Sequence, residues 1–335
     1  MRKIFIAICV CLMVFLAVGS AFAEELWDYH LRGVDEGLVA GALPPPGLYF
    51  VNNMYFVPNF KHYNNAAESD SNFKLSSYVD VPILEWATGY QFLGASYGAA
   101  IAQPFDFTDL RVYNPDTGNT ITGEQWGAYN TILVPFILSW DLPCYFHVST
   151  SMSFGMNDGT TSPGDSYASI SKIGLYGLES KDRRNIYAWS SNDSYQFTPT
   201  VGVSWLYANW NISAEFMYTV YTKDHDTNYQ NGDEFQADYT ISYNYGKWTF
   251  GLGAEQQNQL YNDKFNAGDG LGYRKQPGTM AANYTMGPLI GYNFGPCSLM
   301  AVYNWPLETK NDVGGEWFNL RLVIPLGDPC SWVKS

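Results

Sequence analysis

Four carboxylate side chains occupy polar positions of three neighbouring, alternating stretches of this 335-residue chain: Glu215, Glu234, Asp238 and Glu255. Carboxylates gathered away from bulk water raise one another's pKa and attract cations. Such a cluster could orient a polar or cationic group of a bound molecule. The alternative is a hydrated wall whose charge is neutralised by basic residues elsewhere in the chain: Arg321, Lys74, Arg183 or Arg184.

A second pattern that could do chemistry is the pair His147 and Ser149, which lie two residues apart. In hydrolases a histidine acts as the general base that activates a serine nucleophile, and an acidic residue usually orients the histidine. The sequence does not assign an acidic partner to His147. The pair therefore supports only an alternative, enzymatic interpretation.

Metal-binding patterns are weak in this sequence. The stretch 224–228 begins like a calcium-binding loop, but Tyr229 and Phe235 replace the glycine and the glutamate that such a loop requires. The four histidines are scattered without metal-ligand spacing. No metal and no other cofactor is predicted.

The elements that position these side chains are predicted from strict alternation of apolar and polar residues. In 233–245 and 248–258 every second residue is apolar, and Gly246-Lys247 separates the two runs, so the pattern predicts a β-hairpin. Each arm has about the length that crosses a bilayer as a tilted strand. Similar stretches give twelve predicted strands: 48–58, 73–86, 90–102, 127–139, 144–156, 195–206, 209–221, 233–245, 248–258, 281–294, 297–305 and 316–326.

The connections between these strands alternate between long and short. Short turns are predicted at 87–89, 207–208 and 246–247, whereas 103–126 and 157–194 are long. Transmembrane β-barrels sort their connections in this way, because their periplasmic turns are short and their outer loops long. We therefore predict an all-β protein, a transmembrane antiparallel up-and-down β-barrel of about twelve strands. A further hairpin arm within 157–194 would raise that number.

The barrel is predicted to span 48–326, with separate segments before and after it. Residues 1–23 have the charged start, apolar run and small-residue cleavage site of a signal peptide. Residues 24–47 are an N-terminal segment, predicted to plug or gate the pore, with a structural lid as the alternative. Its candidate residues are Trp27 and Leu31, followed by three prolines that force an extended chain: Pro44, Pro45 and Pro46. Residues 327–335 are predicted to form a periplasmic tail.

The composition agrees with a membrane barrel and excludes some partners. Aromatic residues make up 17% of the chain and charged residues 15%, and aromatic rings are favoured at membrane interfaces. A net charge of −14 disfavours nucleic acid, whose phosphates demand lysine and arginine. Cys297 and Cys330 lie at the ends of neighbouring predicted strands, so they could form a disulfide in an oxidising periplasm.

Several segments together resemble an outer-membrane barrel family named for the meta pathway of phenol degradation, whose members are called SphA-like transporters. The similar segments follow Gly33-Val34 and are GALPPPGLY at 41–49, NYQNGDEFQADYTISYNY at 228–245, GPLIGYNFGPCSL at 287–299 and WFNLRLVIPL at 317–326. The resemblance implies a twelve-stranded barrel in the outer membrane of a Gram-negative bacterium. It also implies passage of small compounds that are often aromatic or hydrophobic.

The leading hypothesis is a non-enzymatic channel or transporter for small hydrophobic or aromatic compounds. Its lumen-lining candidates are Glu215, Glu234, Asp238, Glu255 and Arg321. The expected partners are outer-membrane lipid, a small-molecule permeant and the barrel-insertion machinery. Two alternatives remain open. One is a lipid-modifying barrel enzyme built on His147 and Ser149, although the alternation of 144–156 directs both side chains away from lipid. The other is a plugged structural or surface-interaction barrel.

Overall fold

Most of the described backbone is β-strand, as the period-two alternation predicts. The computed structural model describes residues 30–114, 119–160, 194–223, 229–261, 264–265 and 280–329. Its strands are β1 (Gly47–Tyr63), β2 (Phe73–Phe92), β3 (Ala95–Ala102), β4 (Phe105–Asn114), β5 (Asn119–Ala128), β6 (Ile132–Asp141), β7 (Phe146–Gly155), β8 (Gln196–Tyr207), β9 (Trp210–Tyr221), β10 (Tyr229–Gln230), β11 (Glu234–Tyr245), β12 (Trp248–Gln259), β13 (Lys264–Phe265), β14 (Ala282–Asn293), β15 (Ser298–Lys310), β16 (Asp312–Gly314) and β17 (Trp317–Gly327).

Twelve of these strands close into an antiparallel barrel. The wall runs from β1 through β2, β3, β6, β7, β8, β9, β11, β12, β14 and β15 to β17, and β17 pairs back with β1. Closure satisfies the backbone hydrogen bonds of every described wall strand, which a bilayer could not do for an open edge. The predicted fold class, an all-β transmembrane barrel of about twelve strands, is confirmed.

The outer face carries the apolar belt and the aromatic residues of a membrane-spanning barrel. Aliphatic side chains such as Ile241 and Leu252 are about half exposed on this face. Aromatic side chains surround the short turns, where the acyl chains of a bilayer give way to headgroups. They include Tyr90, Phe92, Tyr145, Tyr207, Tyr245 and Phe294. No helix in the described part of the chain is long and apolar enough to cross a membrane.

Two-residue turns join most wall strands at one end of the barrel. Leu93-Gly94 and Ala208-Asn209 have positive φ at both positions, as in the turns that match the twist of a hairpin. The predicted turn at 87–89 is wrong, because β2 continues through it to Phe92. Gly89 has a φ of 75° where the register opposite β3 shifts. A β-bulge uses the same positive φ as a turn, so the two look alike in sequence.

A further hairpin replaces the predicted long loop at 103–126. β4 and β5 pair with each other, and β4 also pairs with the outer part of β2, from Phe73 to Asp80. Its alternation places Thr108 and Leu110 inside and Phe107 outside. The hairpin therefore extends the wall outward on that side. The additional arm considered within 157–194 falls mainly on 161–193, which lie outside the described residues.

The inner face of the barrel has two chemically different halves. On β1, β2, β3 and β6, which we call the apolar half, the inward side chains are mostly hydrophobic. They form a buried cluster that includes Val57, Phe60, Leu75, Val79, Val81 and Ala102. On the wall strands from β7 to β17, which we call the polar half, most buried inward side chains carry hydrogen-bonding groups, as at Thr198, Ser204, Asn211, Gln236, Thr240 and Gln257.

Candidate functional site: the filled lumen

The described residues that precede β1 lie inside the barrel, against its inner wall. We call residues 30–46 the inner segment. It forms successive tight turns instead of a regular helix, since the amides of Val34, Leu38 and Ala42 each donate to the carbonyl three residues earlier. The three prolines then lead an extended stretch out to Gly47, where β1 begins. The barrel interior is therefore occupied by its own N-terminal chain.

The inner segment is bound to the polar half mainly through its backbone. The amides of Gly37 and Gly41 donate to wall hydroxyls, and the carbonyls of Leu38 and Ala40 accept from wall side chains. These hydrogen bonds are Gly37 N to Thr240 Oγ1 (2.7 Å), Gly41 N to Ser204 Oγ (2.8 Å), Ser149 Oγ to Ala40 O (2.7 Å) and Asn211 Nδ2 to Leu38 O (3.0 Å). Wall and segment thereby satisfy each other's polar groups, which burial requires.

Arg321 is an almost fully buried anchor of the inner segment, with 1% of its surface exposed. Its guanidinium donates to the backbone carbonyls of Glu36 (2.7 Å) and Val34, and to Asn53 Oδ1 (2.7 Å). The sequence prediction that Arg321 faces the lumen matches this position. Arg321 holds the inner segment through carbonyl groups, whereas the sequence suggested that it would neutralise acidic side chains.

Arg32 makes the reciprocal contact, from the segment to the wall. Its guanidinium pairs with Asp312 at 2.5 Å and donates to Gln257 Oε1 and to the carbonyl of Val313. Arg321 is thus a wall residue that binds the segment, and Arg32 is a segment residue that binds the wall. Charge-assisted hydrogen bonds are about twice as strong as neutral ones, so these two residues should dominate the docking of the segment.

Glycines allow the segment to approach the wall closely. Gly37 has a φ of 84°, and a Cβ atom there would overlap Met300 Sδ. At Gly202 on β8 a Cβ would overlap the carbonyl of Ala40. Gly33, Gly37 and Gly41 recur every four residues, and each faces a wall atom at this close range. This spacing is the sequence pattern that could have revealed the close packing of the segment.

Three of the four predicted acidic residues form one row across the polar half. Glu215 on β9 lies directly opposite Asp238 on β11, which lies opposite Glu255 on β12. Glu234 lies near the other end of β11, opposite Thr219 and Gln259, and accepts from the Tyr221 hydroxyl. Lys74, which was considered as a neutralising group, is exposed on the opposite face of β2 from buried Leu75.

The inner segment meets this acidic row directly. The Asp35 amide donates to Asp238 Oδ2 at 2.9 Å, and Asn304 donates to Glu36 Oε2 at 2.6 Å. Burial raises the pKa of the Glu36 carboxyl well above its ordinary value, and the charge of Asp238 raises it further. The hydrogen bond from Asn304 acts in the opposite direction. The proximity of Glu36 in the segment to Asp238 in the wall is therefore electrostatically unfavourable when both carboxyl groups are ionised.

His30 adds a titratable group to the acidic row. Its Nε2 lies 3.8 Å from Asp35 Oδ2 and 3.6 Å from Asp238 Oδ2. These three side chains belong to types that bind metals, and their atoms lie within 4.8 Å of one another, so they could share one cation. The scattered histidine positions in the sequence gave no indication of this grouping. The sequence-based prediction that no metal is bound stays a prediction.

A cavity of about 560 Å³ lies beside the inner segment, and wall residues of both halves line it, including Ser149, Thr198 and Thr200 of the polar half. Leu31, Val34, Leu38 and Leu43 face it from the segment. Aliphatic side chains face it from the wall, among them Val51, Val81, Ile83, Ala102, Ile132 and Val134. A predominantly apolar cavity with a few polar groups is typical of small-molecule sites. Glu85 and Glu215 are among its polar lining residues.

The predicted gate residues are placed as follows. Leu31 packs against the hydrophobic cluster of the apolar half, and Pro44 lines the cavity. Pro45 and Pro46 are exposed, and the Pro45 carbonyl accepts from the Tyr49 hydroxyl at 2.7 Å. Trp27 lies outside the described residues.

The proposed hydrolase pair is not arranged as a hydrolase requires. Ser149 donates its hydroxyl to Ala40 O, while His147 Nδ1 lies 2.7 Å from Asp141 Oδ1. The histidine therefore has an acidic neighbour that the sequence did not assign. A nucleophilic serine must hydrogen-bond to its general base, and here the serine bonds to the inner segment.

The predicted disulfide falls partly outside the structure. Cys297 is a half-buried free thiol, and Cys330 lies outside the described residues. Other important residues were not singled out from sequence: Arg32, Glu36, Glu85, Gly202 and Asn304. Their roles depend on contacts across more than a hundred positions of the chain, which local patterns do not encode.

The comparisons with known proteins agree with this geometry. A sequence family described as "Putative MetA-pathway of phenol degradation" matches residues 59–322. None of the curated proteins matches the chain. Among solved structures, an outer membrane channel from Pseudomonas putida F1 is similar over 87% of this chain and 99% of its own, with a TM-score of 0.67 and 14% identity.

Two further solved structures are less similar to this chain. The translocator domain of the autotransporter NalP from Neisseria meningitidis covers 85% of this chain and 91% of its own length, with a TM-score of 0.46 and 10% identity. A FadL homologue from Pseudomonas aeruginosa covers 92% and 99%, with a TM-score of 0.41 and 10% identity. At such low identities, only the similarity to the Pseudomonas putida channel is informative, and it shows the fold.

Proposed function

The chain belongs to the family described as the putative MetA-pathway of phenol degradation, and from that premise we propose that it is an outer-membrane channel for small hydrophobic compounds. It has no enzymatic role in this proposal. Its partners are the lipid around its apolar belt, the permeant in its lumen and the machinery that inserts barrels into the membrane.

The observation that carries this proposal is the predominantly apolar cavity beside the inner segment. Its volume of about 560 Å³ falls within the usual range for small-molecule sites, and aliphatic side chains line both of its sides. A hydrophobic molecule of a few rings would place its apolar surface against these aliphatic side chains and away from water, which is favourable. The cavity thus offers a partition site within an otherwise polar lumen.

The inner segment acts as the gate in this proposal. Its contacts to the polar half involve directional hydrogen bonds, which break together when the segment moves. Towards the apolar half, Ser139 Oγ donates to the carbonyl of Gly41 (2.9 Å) and the Tyr49 hydroxyl to that of Pro45, while Leu31 makes apolar contacts there. Release of the segment would widen the cavity into a continuous passage.

A reversible cross-link would test the gate. Ala40→Cys and Ser149→Cys would place two thiols at a position where segment and wall are already in hydrogen-bond contact. The native cysteines, Cys144, Cys297 and Cys330, would first be replaced by serine. We expect uptake of an aromatic tracer into proteoliposomes to fall when the cross-link forms and to recover on reduction.

The matched control is Ser149→Cys alone in the same background, which cannot form the cross-link. Its uptake should not respond to oxidation. Equal uptake by the oxidised and reduced double variant would contradict the gate. Absence of uptake in every sample, including protein whose inner segment has been released by Arg321→Ala, would contradict the channel itself.

The enzymatic alternative predicts a different result. A lipid-modifying barrel would lose hydrolytic activity in Ser149→Ala, whereas in the channel proposal this change removes only a hydrogen bond to Ala40. Measuring release of fatty acid from phospholipid vesicles with both proteins separates the two. The surface-interaction alternative predicts that deletion within the long loop 157–194 removes binding to a partner while the uptake of small molecules is unchanged.

A further inference from the structure

We infer that the cavity preferentially binds hydrophobic compounds that carry a positively charged amino group. This inference rests on the proposed function, in that it treats the cavity as a binding site on the route of the permeant. It adds the chemical class of the ligand, which neither the family nor the similar structures specify.

Two carboxylate side chains approach the cavity from opposite sides of the barrel. Glu85 belongs to β2 in the apolar half, and Glu215 belongs to β9 in the polar half. Both line the same cavity as the hydrophobic side chains. A ligand in the cavity would therefore contact an apolar wall and two carboxylates at once.

Neither carboxylate is used by the fold. Other buried acids have clear partners, since Asp238 accepts from the Asp35 amide and Asp312 pairs with Arg32. Within the described part of the chain, Glu85 and Glu215 accept no hydrogen bond and form no ion pair. Both side chains are only partly exposed and line the cavity beside apolar side chains, where a cationic hydrogen-bond donor on a ligand would stabilise them.

The charge around the cavity has one dominant sign. Asp35 also lines it, and His30 is the one basic residue among the described lining residues, which include no lysine or arginine. His30 itself is already within ion-pair distance of Asp35 and Asp238. A negative potential in a recess with low-dielectric walls attracts cations and repels anions. A carboxylate ligand should therefore be rejected.

These features together specify the ligand. The apolar lining requires a hydrophobic body, and the carboxylates require hydrogen-bond donors with a positive charge. An ammonium group supplies both, and its hydrogen bonds to carboxylates are stronger than those of a neutral hydroxyl. Benzylammonium, benzyl alcohol and benzoate share one aromatic ring and differ in the charge of a single substituent, so they form a matched set of probes.

Isothermal titration calorimetry of the purified, detergent-solubilised barrel would test the inference. The amine should be measured at a pH at which it is protonated. We expect benzylammonium to bind at least about tenfold more tightly than benzyl alcohol, and benzoate to bind most weakly. The double variant Glu85→Gln and Glu215→Gln should weaken benzylammonium binding by about tenfold or more and change benzyl alcohol binding by less than about twofold.

Glu68→Gln provides the control, because this residue lies in an exposed connection between β1 and β2, far from the cavity lining. It should leave all three affinities unchanged. Folding of each variant can be verified from the heat-dependent gel mobility of the barrel. Equal affinities for the three probes, or full retention of benzylammonium binding by the folded double variant, would overturn the inference.

Uptake into proteoliposomes separates this inference from the proposed function. If benzyl alcohol and benzylammonium cross the membrane through the barrel but bind the cavity equally, the channel stands and the preference for cations is refuted. If benzylammonium binds through the two carboxylates and no probe crosses, the binding site stands and the channel is refuted.

Discussion

The apolar and polar halves of the lumen are built from the same kind of strand but treat the inner segment differently. In the polar half, wall hydroxyls, amides and Arg321 bind the segment backbone at defined distances. In the apolar half, the wall and segment leave a cavity between them. Directional bonds fix the position of a plug, whereas apolar surfaces leave room that a ligand can occupy. One barrel thereby combines a segment held by directional hydrogen bonds with a cavity lined mainly by hydrophobic side chains.

The two halves also differ in the free energy required to bury their side chains. The polar half buries Asp238 and Glu255 together with many amide and hydroxyl groups, and buried polar groups without partners are destabilising. The inner segment supplies several of those partners. If the segment were displaced, water in the lumen could form hydrogen bonds with these groups. The free energy required to displace the segment is therefore lower than the cost of leaving the groups buried without partners.

The largest effect is expected for Arg321→Ala in the polar half. This change removes both hydrogen bonds from Arg321 to the segment carbonyls and the bond to Asn53. At about 1.5–3 kcal/mol per hydrogen bond to a charged group, loss of the two bonds to the segment should weaken docking by about 3–6 kcal/mol. Trypsin cleavage after Arg32, which requires an undocked segment, should accelerate by at least about a hundredfold.

Arg111→Ala is the matched control for that variant. Arg111 is an exposed arginine of the β4–β5 hairpin that pairs with Asp109. Its loss should not change cleavage after Arg32. Unchanged cleavage in Arg321→Ala would mean that the segment is held chiefly by contacts other than those to this arginine.

A smaller effect is expected for Gly37→Ala. The added Cβ would meet Met300, and the positive φ of Gly37 is unfavourable for alanine. Overpacking and backbone strain of this kind cost about 1–3 kcal/mol. Cleavage after Arg32 should accelerate about tenfold. Gly94→Ala, at a turn with similar φ and no neighbouring atom within 4 Å, should leave cleavage unchanged.

Thr240→Val tests one hydrogen bond of the polar half with little change in shape. It removes the acceptor of the Gly37 amide. Because the segment can be solvated once it undocks, we expect docking to weaken by about 1 kcal/mol and cleavage to accelerate about fivefold. A change much greater than this would indicate that Thr240 supports more of the segment than Gly37.

Val81→Thr makes the reverse exchange in the apolar half. Val81 is buried and lines the cavity, so a hydroxyl there would lie against hydrophobic side chains. We expect protection of Arg32 from trypsin to change by less than about twofold, and binding of benzyl alcohol to weaken severalfold. Comparable effects of Thr240→Val and Val81→Thr on trypsin cleavage would refute the conclusion that the polar half, and not the apolar half, holds the segment in place.

Much of the wall was predictable from sequence because alternation is a local property. The arm 233–245 was predicted within one residue of β11, and the turn at Gly246-Lys247 is where it was expected. Two parts of the wall were predicted incorrectly. Gly89 serves a bulge that resembles a turn, and the hairpin of β4 and β5 lies where only a long connection was expected.

The candidate site was less predictable, because its parts are distant in the chain. Period two places Glu215, Asp238 and Glu255 inside, but only strand register makes them direct neighbours. Glu234 lies on the same face but outside this row, because it is the first residue of β11 and precedes Asp238 by four positions. The cavity required still more information, as it depends on where the inner segment lies across the lumen.

The sequence alone determined that this chain forms a closed barrel with a lipid-facing belt, because side-chain alternation and connection length are encoded within a few residues. Only the tertiary structure decided that the lumen has an apolar and a polar half, that Arg321 holds residues 30–46 against the polar half, and that Glu85 and Glu215 share one cavity. Those properties arise from contacts between residues far apart in sequence, whose free energies depend on the register of twelve strands and on the position of one inserted segment.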